Sequence, residues 1–173
     1  MLELVLHGPG APRTVGHPAP PRVEVRNAGD GDVWIAGVLD GSEHGLRYPR
    51  YTPAVVRVGG AGGNAVVAAP APAEDPLVGP LRPDDLRRLA PGESFDPTTG
   101  PGCLPLLTFA TFAPAAPGRY RYTLTLSTDA DRPEQWLGGF SLPKGADRET
   151  LLALVARIPR TTVSATPAEV TFR

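Results

Sequence analysis

The clearest pattern of hydrophobic and polar positions lies in residues 117–128, where a Pro-Gly turn leads into strict alternation. One face of this stretch carries the apolar and aromatic side chains Tyr120, Tyr122, Leu124 and Leu126. The other face carries arginine, threonine and serine. A period of two that is rich in aromatic and β-branched residues predicts a strand with one buried face. The pattern therefore indicates a β-protein.

Shorter stretches of related pattern predict the other strands. They lie at residues 2–6, 22–27, 33–39, 54–58, 64–69, 93–95, 104–112, 161–165 and 170–172. The stretch 33–39 is apolar on both faces, which indicates a strand covered on two sides. The stretch 2–6 is expected to be an edge strand, and the last two stretches are compatible with one strand broken at Pro167.

Two segments depart from this pattern and predict helical structure. Residues 83–89 begin with a proline and two aspartates, which favour the first turn of a helix. Residues 133–139 predict a helical turn, and 148–157 predict a helix capped by Asp147. Together the second group makes a short helical insertion, about 133–157, before the last strands.

The composition supports the β assignment and limits the possible partners. Glycine and proline account for 20 and 22 of the 173 residues, about twice their usual share, as expected for the turns of an all-β fold. The formal net charge of −1 provides no bulk attraction to nucleic acid or to an anionic membrane surface. We therefore expect neither as a partner.

Cysteine content and hydropathy indicate the compartment. Cys103 is the only cysteine, so an intramolecular disulfide is impossible. The first residues lack the basic region and the apolar length of a signal peptide, and no stretch approaches the length of a transmembrane helix. These features predict a cytoplasmic protein, and no motif implies a cofactor.

Many short strands separated by turns predict a sandwich or barrel. The spacing of Gly118, Tyr120 and Tyr122 is that of an immunoglobulin-type tyrosine corner, with Tyr122 in the place of the second disulfide cysteine. Trp34 would match the core tryptophan of strand C. The predicted fold is therefore mostly β: one domain, residues 1–173, forming an immunoglobulin-like antiparallel β-sandwich without a disulfide.

A pair of turn motifs resembles a known group of domains. Leu89-Ala-Pro-Gly-Glu-Ser94, combined with Pro117-Gly118-x-Tyr120, resembles the pattern of bacterial immunoglobulin-like accessory domains. Prodomains of deuterolysin-type proteases and the intracellular proteinase inhibitors of bacilli share it. The resemblance spans residues 22–127 at most and implies a bacterial sandwich domain. It also implies a possible protease-inhibitor role, for which the proline-rich stretches 8–21 and 70–83 could supply the inhibitory loop.

Candidate binding residues concentrate in the predicted loop 40–53. Tyrosine and arginine dominate binding hot spots, and the loops of sandwich folds commonly carry recognition. The candidates are Arg47, Tyr48, Arg50 and Tyr51, together with Trp136 in the helical insertion. The alternative for the tyrosines is packing against the sandwich edge, and for Trp136 it is anchoring the insertion.

Catalytic and metal-binding patterns are weak. Asp40, Ser42 and His44 are the right residue types for a nucleophilic relay, but they lie too close together in one loop to form it. His7, His17 and His44 have no ligand spacing, so no metal site is predicted.

The leading functional hypothesis is a non-enzymatic protein-binding module whose partner is a protein. The alternatives are an intracellular protease inhibitor and an enzyme whose site is assembled from distant loops. The chain is expected to be a monomer, or a homodimer formed through an edge strand such as 2–6.

Overall fold

The structure, a computed structural model, describes residues 1–59, 66–67, 78–100, 103–138 and 144–173. Its strands are β1 Leu2–His7, β2 Arg22–Asn27, β3 Val33–Ala36, β4 Arg50–Val58, β5 Val66–Val67, β6 Leu86–Leu89, β7 Ser94–Phe95, β8 Gly118–Ser127, β9 Thr162–Ser164 and β10 Ala168–Phe172. Its helices are α1 Leu107–Thr111 and α2 Gly145–Val155, with 3₁₀ turns at Pro83–Asp85 and Pro133–Trp136.

Two antiparallel sheets form the body of the fold. One has the order β1-β2-β7, and the other has the order β10-β8-β4-β5. β9 also pairs with β8, beyond the end of β10, so both strands follow the same side of β8. This order corresponds to strands A, B and E facing strands G, F and C of an immunoglobulin-type sandwich. The predicted mostly-β fold is confirmed.

β8 is the central strand of the larger sheet, and its alternation sets the core. Tyr120, Tyr122, Leu124 and Leu126 are all buried against the facing sheet. The Tyr120 hydroxyl donates a hydrogen bond of 2.9 Å to the carbonyl of Ala116. The hydrogen bond of the predicted tyrosine corner is therefore present.

The β3–β6 ribbon lies between two apolar clusters of the described residues. Val33, Ile35 and Leu89 belong to the main core between the sheets. The opposite side of the ribbon faces what we call the second cluster, made of Ala36, Tyr48, Leu81, Leu86, Ala130, Trp136, Leu137, Leu151, Val155 and Ile158. β3 is covered on both sides, as its apolar pattern predicts, although it ends at Ala36.

The expectation for Trp34 is wrong. The strand that pairs with β8 is β4, so β4 takes the strand C position, and its Tyr51 is buried in the main core. Trp34 is half-buried against the second cluster, with the Arg157 guanidinium 5.6 Å from its ring centroid.

Two segments form a different element from the predicted one. Residues 104–112, predicted as a strand, contain the helix α1, whose first main-chain N–H groups donate to the Glu43 carboxylate. Residues 83–89, predicted as a helical turn, form a 3₁₀ turn followed by β6, because Leu86–Leu89 pairs with β3. The helical insertion is confirmed, and α2 begins at Gly145 instead of residue 148. Of the predicted strand 64–69, the described part is Val66–Val67.

The outer edges of the sandwich are partly covered. Arg13 exchanges main-chain hydrogen bonds with Thr171 and Arg173, so part of the proline-rich stretch 8–21 lies along β10. β1 is an edge strand of its sheet, as predicted, but it lies against β9, and Leu2 and Leu4 are only 4% exposed. Pairing of β1 with a second copy stays a prediction. Within the described ranges, no helix has the length and apolar character needed to cross a bilayer.

Candidate functional site

The five candidate binding residues lie mostly inside the protein. Arg47, Tyr48, Tyr51 and Trp136 are each less than 8% exposed, and Arg50 is intermediate. The Tyr48 ring lies 5.8 Å from that of Trp136, and the Arg50 guanidinium lies 4.5 Å from the Tyr48 ring. The structure thus brings these three residues together, whereas Tyr51 lies in the main core.

These side chains do not form an exposed binding face. β4 begins at Arg50, four positions before the predicted start at residue 54, and its alternation turns Tyr51 into the main core between the sheets. Tyr48 and Trp136 pack in the second cluster, which corresponds to the packing alternative for both. Whether any of the five contributes to binding stays a prediction.

Arg47 and Asp40 hold the Gly79 peptide in place. Arg47 Nη1 donates to the Gly79 carbonyl at 2.8 Å, and the Gly79 N–H donates to Asp40 Oδ2 at 2.7 Å. Among the described residues, the buried Arg47 Nε and Nη2 have no hydrogen-bond partner. Burial lowers the pKa of Arg47 below its usual value, and the nearby carboxylates of Asp40 and Asp85 oppose that shift.

A groove opens beside Asp40, and we call it the Asp40 groove. It consists of two adjoining cavities of about 260 and 280 Å³ that share Leu39, Asp40 and Leu104. The first cavity also carries Asp84, Asp85, Arg87 and Cys103. The second also carries Val78, Pro105 and Leu107, together with Glu43 and His44 at its rim. The groove therefore joins a carboxylate-lined half to an apolar half.

Two leucines of the apolar half are unusually exposed. Leu104 is 48% exposed and Leu107 is 40% exposed. Glu43 fixes this wall, because its carboxylate accepts hydrogen bonds from the main-chain N–H groups of Leu107 and Thr108 at 2.6 and 2.9 Å. The Thr108 hydroxyl donates to the same carboxylate. The wall is thus held by a charged contact across 64 residues of sequence.

The carboxylates of the other half are free of ion pairs among the described residues. Asp40 and Asp85 each accept one main-chain N–H, from Gly79 and Arg82, both at 2.7 Å. Arg87 lines the same cavity, but its guanidinium lies 5.1 Å from the Phe95 ring centroid and makes no ion pair there. The cavity therefore retains unpaired negative charge.

The side chains considered for a nucleophilic relay are not linked to one another. Ser42 is fully buried and its hydroxyl donates to the Val38 carbonyl at 3.1 Å, while Asp40 binds Gly79.

The histidines considered as metal ligands are far apart in the sequence, and His7 contacts Glu24 at 2.7 Å. Over the part of the chain that the structure describes, no group of three or more His, Cys, Asp or Glu residues is arranged to hold a metal ion.

Of the two stretches proposed as inhibitory loops, the structure describes 8–21 but only residues 78–83 of 70–83. The middle of 8–21 is bonded to the last strand: Val15 N–H donates to the Arg173 carbonyl at 3.1 Å. That part is an edge cover and does not protrude as a free loop. Most of the second stretch, 70–77, lies outside the described residues.

Sequence reasoning missed the groove residues Leu104, Leu107, Asp84 and Asp85. It assigned the first two to a strand and the other two to a helical turn. One signal was available, because Pro105 lies inside the predicted strand and proline is confined to the ends and edges of strands.

Comparison of the chain with family models, with curated proteins and with solved structures found no match. The class of protein is therefore defined by the fold alone, as a mostly-β antiparallel sandwich with a helical insertion.

Proposed function

We propose that this protein is a non-enzymatic binding module that recognises a protein partner through the Asp40 groove. The observation that carries the proposal is the pair of exposed leucines, Leu104 and Leu107, on the wall of a cavity whose other half is polar. Single exposed leucines are ordinary on a protein surface. Apolar side chains that line a concavity with a polar rim are typical of an interaction site.

The fixed walls of the groove favour binding. Glu43 secures α1, and Asp40 with Arg47 secures the Gly79 peptide next to Val78. A surface held in its binding geometry loses less conformational entropy when a partner binds. This supports the groove as the place where affinity is generated.

The test compares capture of partners by matched variants. Wild-type protein, a Leu104→Ser/Leu107→Ser variant and a Leu46→Ser control serve as baits in a lysate of the native source, and bound proteins are quantified by mass spectrometry. The exposed fraction of Leu46, 47%, is similar to the 48% of Leu104, but Leu46 does not line the groove. Reducing conditions keep Cys103 as a thiol, in line with the predicted cytoplasmic location.

We expect one stoichiometric protein that wild type and Leu46→Ser capture equally and that the groove variant loses. Circular dichroism of all three baits checks that each is folded. Equal capture by the groove variant would place the binding surface elsewhere. Absence of any stoichiometric protein would contradict the binding-module proposal and favour the alternative of an enzyme with a site built from loops.

A further inference from the structure

We infer that the recognised element is a short segment that presents a lysine or arginine close to an apolar side chain. The basic group enters the cavity of Asp40, Asp84 and Asp85, and the apolar group packs against Leu104 and Leu107. This inference rests on the proposed function and names the chemistry of the partner.

The charge of the first cavity favours a cation. Some carboxylates elsewhere among the described residues pair with an arginine, as Glu169 does with Arg121 and Asp129 does with Arg160. Among the described residues, the three carboxylates of the groove have no arginine partner, and they outnumber the guanidinium groups of Arg87 and the buried Arg47. A lysine or arginine that enters this cavity gains ion pairs that the described part of the chain does not supply.

An anionic ligand is disfavoured by the same arrangement. Arg87 is the cationic side chain on the wall of the first cavity, and its guanidinium lies over the Phe95 ring. Two Arg47 nitrogens have no partner among the described residues, but the side chain is 1% exposed and lines neither cavity. A carboxylate or phosphate in the first cavity would face three carboxylates and the single guanidinium of Arg87, so the net charge of the wall disfavours it.

The apolar half limits how the cation is presented. The two cavities share Leu39, Asp40 and Leu104, so their occupants lie next to each other. Each cavity is smaller than the roughly 300–1,000 Å³ of most small-molecule pockets, which suits single side chains. A basic and an apolar side chain a few residues apart in one segment satisfy both halves at once.

The test uses a library of random heptapeptides displayed on phage, selected on wild-type protein. The most enriched sequence is then synthesised, and its affinity is measured for wild type, for Asp84→Asn/Asp85→Asn and for Asp30→Asn/Glu149→Gln. The last variant removes two exposed carboxylates away from the groove and so makes the same change in net charge. Asparagine at position 85 keeps an oxygen that accepts the Arg82 N–H.

We expect enriched peptides to combine lysine or arginine with a neighbouring apolar residue. Binding should weaken about tenfold in Asp84→Asn/Asp85→Asn, remain unchanged in the control variant and fall as salt is raised. Enriched peptides without a basic residue, or equal binding to the groove variant, would overturn this inference and leave the proposed function standing. Failure to enrich any peptide would overturn the short-segment inference, and the capture experiment decides separately whether the groove binds a folded surface.

Discussion

At the scale of single residues, the junction around Gly79 depends on a close approach that only glycine permits at position 138. Gly138 has φ +84°, and a Cβ atom there would overlap the Gly79 carbonyl oxygen that accepts the Arg47 hydrogen bond. The overlap is with main chain, which cannot move aside as a flexible side chain can. The residue therefore sets how closely the helical insertion approaches the segment that carries Val78.

We predict that Gly138→Ala lowers the free energy of unfolding by about 3 kcal/mol, because it adds a main-chain overlap to an unfavourable φ. Gly16→Ala is the matched control, since Gly16 has a similar φ of +80° but a Cβ atom there would meet nothing within 4 Å. It should cost only about 1 kcal/mol. Urea unfolding of both variants measures the difference, and equal losses would mean that the close approach contributes nothing.

The two inward tyrosines of β8 show how similar side chains contribute differently. The Tyr120 hydroxyl has a partner in the Ala116 carbonyl, whereas the buried Tyr122 hydroxyl has no partner among the described residues. Burial raises the pKa of Tyr122 to about 12, with a smaller contribution from Tyr120. The Tyr122 phenol therefore stays neutral in the folded protein at pH values where an unfolded tyrosine ionises.

We predict that Tyr120→Phe costs about 1 kcal/mol of stability at pH 7, while Tyr122→Phe stays within about 0.5 kcal/mol of wild type. The reason is that the first change removes a hydrogen bond and the second removes an unsatisfied group. Urea midpoints at pH 7 give both values. A loss at Tyr122 as large as at Tyr120 would imply that its hydroxyl has a partner.

The same tyrosine predicts a dependence on alkaline pH. An unfolded tyrosine loses its proton near pH 10, whereas folded Tyr122 retains its proton up to about pH 12. The neutral Tyr122 phenol makes its full contribution to the free energy of unfolding below pH 10. Between pH 10 and 12 that contribution falls by about 1.4 kcal/mol per pH unit. Tyr122→Phe should therefore flatten this decline relative to wild type in a pH series of urea unfolding. An unchanged slope would contradict the raised pKa.

At the scale of secondary-structure elements, α1 depends on a residue distant in sequence. α1 has five residues and no side-chain cap of its own, and Glu43 supplies acceptors for its first N–H groups. So short a helix does not form on local propensity alone. The carboxylate of Glu43, which lies in the loop that precedes β4, therefore caps the beginning of this helix.

We predict that Glu43→Ala costs about 2 kcal/mol, because charge-assisted hydrogen bonds to two N–H groups and a hydroxyl are lost together. Hydrogen exchange in residues 107–112 should accelerate more than in β8. Glu149→Ala, on an exposed position of α2, is the control and should change neither. Unchanged exchange in 107–112 would show that packing against β4 alone holds α1.

Local pattern was sufficient where an element buries one face regularly, as in β2 and β8, whose bounds match the prediction within one residue at each end. It failed where pairing decided the structure. The local sequence of residues 83–89 does not indicate that Leu86–Leu89 pairs with β3. Likewise, the local sequence of residues 104–112 does not indicate that Glu43 caps a helix there. The Asp40 groove was missed for the same reason, since its halves come from three separate segments joined only by the fold.

At the scale of the whole molecule, the two apolar clusters are joined by few elements. The β3–β6 ribbon lies between them, and main-chain hydrogen bonds from Tyr48 to Gln135 and from Leu81 to Leu137, at 3.0 Å each, connect the helical insertion to the rest. The main core contains most of the buried apolar residues, including the inward side of β8. The second cluster is therefore expected to open at lower free energy than the sandwich.

We predict that Leu151→Ala, at a 2% exposed position of the second cluster, accelerates hydrogen exchange in α2 by a factor that corresponds to about 3 kcal/mol, while the amides of β8 keep their protection. Leu124→Ala is the matched control in the main core, at 1% exposure. It should reduce protection in both regions, because unfolding of the sandwich removes the ribbon on which the second cluster packs. Equal losses of protection in α2 and β8 for Leu151→Ala would mean that both clusters unfold as one cooperative unit. In that case the groove, whose walls include residues of the main core and of the segment leading to β6, would share the full stability of the fold.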